Sequence, residues 1–91
     1  MADPIRVPER VVFANATQVL DTLSGAAGTG AARFDLAACS AFDSSLIAVL
    51  LELKRRAGTA GCAVSGASSN VVKLARLYGV DQVLFGSRSD A

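Results

Sequence analysis

The sequence predicts an α/β layer fold, in which a mixed β-sheet of about four strands is covered by about three helices. Short apolar segments of strand-like pattern alternate with longer segments of helical spacing, in the order β-β-α-β-α-β-α with a candidate last strand. The chain has 91 residues, which suits one domain. We therefore expect a single domain over residues 1–91, with its core in about residues 5–85 and a frayed polar tail at 86–91.

The N-terminal part of the chain predicts two strands and a helix. Residues 5–7 alternate apolar and charged side chains as an edge strand does, and residues 10–14 are rich in valine and phenylalanine. Asn15 is followed three residues later by a glutamine, which is the spacing of a capping box, so the first helix should begin there. Gly25 and Gly28 should end it and open a loop.

The middle of the chain predicts a strand, a loop and a strongly apolar helix. Residues 33–36 alternate polar and apolar side chains, and residues 37–42 are expected to form a loop. Asp43 or Ser44 should cap the following helix, whose wide apolar face ends before Gly58.

The C-terminal part predicts one more strand and one more helix. Residues 61–65 fit a buried strand, and residues 68–70 offer a cap for a helix that ends at Gly79. Tyr78 should lie on the apolar face of this helix, with its ring packed and its hydroxyl in water. The apolar residues 83–85 form the candidate last strand.

Composition argues against several classes of function. The chain has no histidine, and Cys39 and Cys62 each stand alone, so we expect no metal site and no cofactor. No nucleophile is paired with a base, which argues against an enzyme. The formal net charge is only +1 and the basic residues are spread along the chain, so we expect no nucleic-acid partner. Isolated cysteines without a signal peptide predict a cytoplasmic protein, and the apolar runs are too short for direct membrane insertion.

A small enzyme or nucleotide-binding protein is the weakest of the alternatives. The glycine-rich residues 25–30 lack the Gly-Lys-Ser/Thr ending of a phosphate-binding loop. They also follow a predicted helix, whereas a phosphate-binding loop follows a strand.

Three segments together resemble the STAS domains that sulfate transporters and anti-sigma factor antagonists share. They are the Phe-Asp-Leu of residues 34–36, the loop into the Asp-Ser-Ser of residues 43–45, and the apolar helix of residues 46–53. Residues 70–80, which include Leu-Ala-Arg-Leu-Tyr, are similar to the last helix of MlaB-type STAS proteins. The resemblance covers about residues 5–85 and implies a STAS fold.

The MlaB-type resemblance implies a non-catalytic role. Such a protein is the small cytoplasmic subunit of an ABC transporter that moves phospholipid between the inner and outer membranes and so maintains lipid asymmetry. It would bind the ATPase subunit directly, reach the permease only indirectly, and be peripheral to the inner membrane through this partner. The alternative within the same family is an anti-sigma factor antagonist that is regulated by phosphorylation of Ser44.

The resemblance also implies where a partner binds. Ser44 matches the family's partner-contacting or phosphate-accepting residue, although a serine before an apolar helix is often only its cap. Phe42, Asp43, Ser45 and Leu46 are further candidate contacts around it. Many family members have glycine at the position of Leu46, so we expect a bulkier, more apolar rim here.

Overall fold

The computed structural model describes residues 4–28 and 31–85. The first half contains β1 (Ile5–Arg6), β2 (Arg10–Val11), a 3₁₀ turn (Phe13–Asn15), α1 (Ala16–Ala27), β3 (Ala32–Asp35) and β4 (Ala41–Phe42). The second half contains α2 (Ser44–Ala57), a 3₁₀ turn (Gly58–Ala60), β5 (Cys62–Ser65), α3 (Ser69–Leu77) and α4 (Asp81–Phe85).

The strands form two small sheets. One has three strands in the order β1-β3-β5, and the other pairs β2 with β4. The α/β class predicted from the sequence is confirmed. Every described strand pair is parallel, whereas the sequence suggested a mixed sheet. The difference arises because each pair is joined through a helix, and a helical crossover returns the chain in the same direction.

The core lies between the apolar face of the three-stranded sheet and the helices. Phe34 and Leu36 project from β3 and its end, and each is 1% exposed. They contribute to one cluster with the buried side of α2, whose members are Leu46, Ile47, Val49, Leu50 and Leu53. The wide apolar face predicted for this helix is therefore confirmed, and it anchors α2 so that its opposite side faces outward.

The second predicted strand is shorter than expected, and the predicted cap of α1 is wrong. The strand ends at Val11, and the chain then makes a 3₁₀ turn before α1 begins at Ala16. Asn15 does not cap the helix because its side chain points back into this turn. Its Oδ1 accepts a hydrogen bond from the Val12 N–H at 2.9 Å, and its Nδ2 donates one to the Arg10 carbonyl at 3.0 Å.

Two further boundaries differ from the sequence-based prediction. Gly25 lies within α1, and the helix ends only at Gly28, whose φ of 65° is the left-handed conformation that glycine adopts freely. Residues 41–42 were expected in a loop, but they pair with residues 10–11 as β4. A two-residue strand is too short to leave a periodic pattern in the sequence.

The candidate last strand is a short helix. Residues 81–85 form α4, and Leu84 packs into the core at 2% exposure. A short apolar segment does not distinguish a strand from a helical turn, which explains the error. Tyr78 is 56% exposed, so its ring is less packed than predicted. The predicted tail at 86–91 lies outside the described residues.

Candidate functional site

Asp43 joins the start of α2 to the turn before α1. Its Oδ1 accepts a hydrogen bond from the Ser45 N–H at 2.8 Å, which makes it the cap of α2. Its Oδ2 accepts a second one from the Phe13 N–H at 3.1 Å. The hydrogen bond from the Ser45 N–H has the larger effect on the Asp43 carboxyl and that from the Phe13 N–H the smaller, and together they hold its pKa below the usual value. One carboxylate therefore fixes two segments that lie 30 residues apart.

Ser44 is exposed in the first turn of α2. The sequence left open whether Asp43 or Ser44 caps this helix, and the structure gives the role to Asp43. Helix capping therefore does not explain why a serine occupies position 44.

Two grooves run along the outward side of α2 and meet at Ala48. The Tyr78 groove, of about 400 Å³, lies between α2 and the turn that joins α3 to α4. It is lined by Ser44, Ile47, Ala48, Leu51, Tyr78 and Val80. The Phe13 groove, of about 450 Å³, lies between α2 and α1 and runs past Ser45 and Ala48 to Glu52. Glu52 is the one charged residue among the described residues that line either groove.

The charge of Glu52 is balanced by two arginines of the same helix. Arg55 and Arg56, which lie three and four residues after Glu52 in α2, both form ion pairs with its carboxylate. Hydrogen bonds from Arg55, and then from Arg56, lower the pKa of Glu52 to about 2. These three side chains therefore carry a net charge of +1 beside the far end of the Phe13 groove.

The structure separates the predicted contact residues into exposed and buried ones. Ser44 and Asp43 are exposed, and Ser45 and Phe42 are partly buried. Leu46 is 0% exposed, so the prediction that it forms an apolar rim is wrong. It is the third residue of α2, and the turn of the helix carries its side chain into the core.

Sequence reasoning missed Phe13, the more exposed of the two exposed aromatic residues that line these grooves. Phe13 is 85% exposed, although it was placed in a predicted apolar strand. The exposure of Phe13 could have been predicted from Asn15. Asparagine favours turns, and its position soon after Val11 and Val12 indicates that the strand ends early.

The described residues offer no support for metal or thiol chemistry. Within 4–28 and 31–85, no group of three His, Cys, Asp or Glu side chains could hold a metal ion. Burial raises the pKa of both the Cys39 and the Cys62 thiol, which keeps them protonated. In the same part of the chain, no helix is long and apolar enough to cross a membrane.

Comparison with known proteins identifies the family. A family model described as "Mlab, STAS domain" matches residues 2–86, which is nearly the whole chain. The chain belongs to the MlaB-type STAS family. No curated protein and no solved structure matches it. The family assignment agrees with the observed α/β fold, and STAS domains are generally non-catalytic, small protein modules.

Proposed function

We propose that this STAS domain is a non-catalytic subunit that binds and supports the ATPase subunit of an ABC transporter for phospholipid trafficking between the inner and outer membranes. The observation that carries the proposal is the outward surface of α2, on which the exposed Ser44 lies at one end of an uncharged apolar groove. This chemistry suits a protein partner, because apolar grooves without charge are stabilised by burial against a complementary protein surface.

Ser44 would lie at the contact with the ATPase subunit. A small hydroxyl at the first turn of a helix allows close approach and can exchange a hydrogen bond with a partner's backbone. Phe42, Asp43 and Ser45 support the same surface, since Asp43 orders the first turn and Phe42 precedes it in β4. The domain would act in the cytoplasm and reach the inner membrane only through its partner.

Affinity purification from the native cells tests this function directly. The tagged protein would be purified from solubilised membranes, and the proteins bound to it would be identified by mass spectrometry. We expect an ABC ATPase and its permease in stoichiometric amounts. Their absence, when the tagged domain itself is folded and recovered, would contradict the proposal.

The anti-sigma antagonist is the second candidate, and the exposure of Ser44 is the observation that favours it. A phosphate on Ser44 would lie at the positive end of the α2 dipole, where the backbone tolerates it. The same purification separates the two functions. Recovery of an anti-sigma kinase, together with phosphate on Ser44, would replace the transporter assignment.

A further inference from the structure

Phe13 is the most exposed of the large apolar side chains in the described ranges, at 85%. It lies in the 3₁₀ turn that leads into α1, away from the core cluster. An exposed phenylalanine ring gains no burial energy when the domain folds, because its surface remains in water. Folding alone therefore does not explain this residue.

The backbone around Phe13 is held from both sides. The Phe13 N–H donates to Asp43 Oδ2 at 3.1 Å. On the other side, the Asn15 side chain accepts a hydrogen bond from the Val12 N–H at 2.9 Å and donates one to the Arg10 carbonyl at 3.0 Å. Because the turn is fixed before any partner arrives, little backbone entropy remains to be lost when the ring is buried in a complex. Rigid aromatic side chains with this property are the usual anchors of protein interfaces.

The ring stands at the mouth of the Phe13 groove, beside Ser45 and Ala48. Apart from Thr17, the remainder of the groove is apolar until Glu52, whose carboxylate is paired with Arg55 and Arg56, so that these three side chains together carry a net charge of +1. The surface is thus apolar at one end and cationic at the other. An occupant that complements it has an apolar stretch over Ala48 and an acidic residue beside the two arginines.

We propose that Phe13 is the aromatic anchor of the docking surface, and that the Phe13 groove receives an amphipathic helix of the ATPase subunit with its acidic end beside Arg55 and Arg56. A helix suits the site because the groove runs along α2, from its first turn to its third, between two helices. This inference rests on the proposed function and names the second, α1-facing side of its surface.

The first test compares Phe13→Ala with Leu77→Ala for affinity to the purified cognate ATPase subunit. Leu77 is a matched control because it is 81% exposed and lines neither groove. Loss of an interface anchor typically lowers affinity about thirtyfold or more, so we expect this loss for Phe13→Ala and less than a threefold change for Leu77→Ala. Thermal melts of both variants should match the wild type, since neither side chain is buried.

An affinity within threefold of wild type for Phe13→Ala would overturn the anchor, and so would an equal loss in both variants. Either result leaves the proposed function standing, because the wild type still binds. If the wild type itself does not bind the ATPase subunit, the proposed function fails and this inference fails with it.

The second test identifies the occupant of the groove. A photo-crosslinking amino acid at Thr17, an exposed residue that lines the groove, would be activated in the assembled complex. We expect crosslinks to a helix of the ATPase subunit that carries an acidic residue at one end. Crosslinks to a non-helical segment, or none from a complex that has formed, would overturn the assignment of the groove.

Discussion

At the scale of single residues, Asp43 determines the local structure of the proposed docking surface. Its two oxygens hold the first turn of α2 and the turn at Phe13 at the same time. Asp43, which the sequence predicts as a helix cap, therefore also links α2 to a turn that is distant in sequence. Loss of this side chain should affect both folding and binding.

We predict that Asp43→Ala lowers the melting temperature by about 5 °C, because it removes a helix cap and a second backbone hydrogen bond. Asp43→Asn should lower the melting temperature by less, since an amide oxygen still accepts one hydrogen bond. Differential scanning calorimetry measures the melting temperature of both variants. Unchanged melting in Asp43→Ala would show that the two hydrogen bonds contribute nothing to stability.

Asp43 and Glu52 also predict how stability depends on pH. Both pKa values are lower in the folded protein than their usual values, with that of Glu52 at about 2. Their contribution is therefore complete above the unfolded pKa of about 4 and is lost as the pH falls through the folded values. We expect the unfolding free energy to decrease between pH 4 and pH 2.

Glu52→Gln should flatten part of this decrease, as measured by urea unfolding at several pH values. Because Glu52 is partly exposed and Arg55 and Arg56 are exposed, the difference should shrink in 1 M salt. A salt-independent difference, or a steeper acid dependence in Glu52→Gln, would contradict this account.

At the scale of secondary structure, the end of β5 packs closely against the end of β3. Gly66 has a φ of 73°, and a Cβ atom there would lie 2.5 Å from Asp35 Oδ1 and 2.9 Å from the Ala37 nitrogen. Asp35 Oδ1 already accepts a hydrogen bond from the Ala37 N–H at 2.9 Å, so the Asp35 carboxylate cannot move away from an added Cβ without losing that hydrogen bond.

We predict that Gly66→Ala costs about 3 kcal/mol or more, because a steric clash adds to the strain of the left-handed backbone. Gly79 is the matched control, since its φ is 71° but no atom lies within 4 Å of the added Cβ. Gly79→Ala should cost only about 1–2 kcal/mol. Equal costs in chemical denaturation would show that the contact at Gly66 relaxes freely.

The longer elements were predictable, and the short ones were not. The apolar face of α2, its end at Gly58 and the strand at 62–65 follow from periodicity and glycine placement. The pairing of residues 41–42 with 10–11 depends on contacts distant in sequence, which no local pattern reveals. The helical state of 81–85 likewise depends on packing Leu84 against the core.

The candidate site was partly predictable for a similar reason. Ser44 and Asp43 were predicted as contacts because the Asp-Ser before an apolar helix resembles the STAS signature. Leu46 was predicted on the rim because many family members have glycine at its position, yet the helical rotation buries it. Phe13 was missed because residues 10–14 were predicted as one strand, and the Asp43 carboxylate that accepts its N–H lies 30 residues away.

At the scale of the whole molecule, the buried side of α2 holds the fold together, while its outward side carries the proposed docking surface. Leu46 and Ser44 are two residues apart, yet one is fully buried and the other is exposed. Changes to the two residues should therefore separate stability from binding.

We predict that Leu46→Ala lowers the unfolding free energy by about 2–5 kcal/mol, because it leaves a cavity in the core. A domain of this size has a total stability of only about 5–10 kcal/mol, so the loss should be large in urea unfolding. Protein that remains folded at low temperature should keep its affinity for the ATPase subunit. A loss below 1 kcal/mol would place Leu46 outside the core.

The central claim, that the outward side of α2 at Ser44 binds the ATPase subunit, is tested most directly by one pair of variants. Ser44 and Ser69 are both exposed serines at the first position of a helix, each preceded by a separate capping residue. Arginine at either position disturbs its own helix dipole equally, but only Ser44→Arg places a bulky charge on the proposed interface. Titration calorimetry against the purified ATPase subunit should show at least a thirtyfold loss of affinity for Ser44→Arg and nearly wild-type affinity for Ser69→Arg. Wild-type affinity in both variants would contradict the claim.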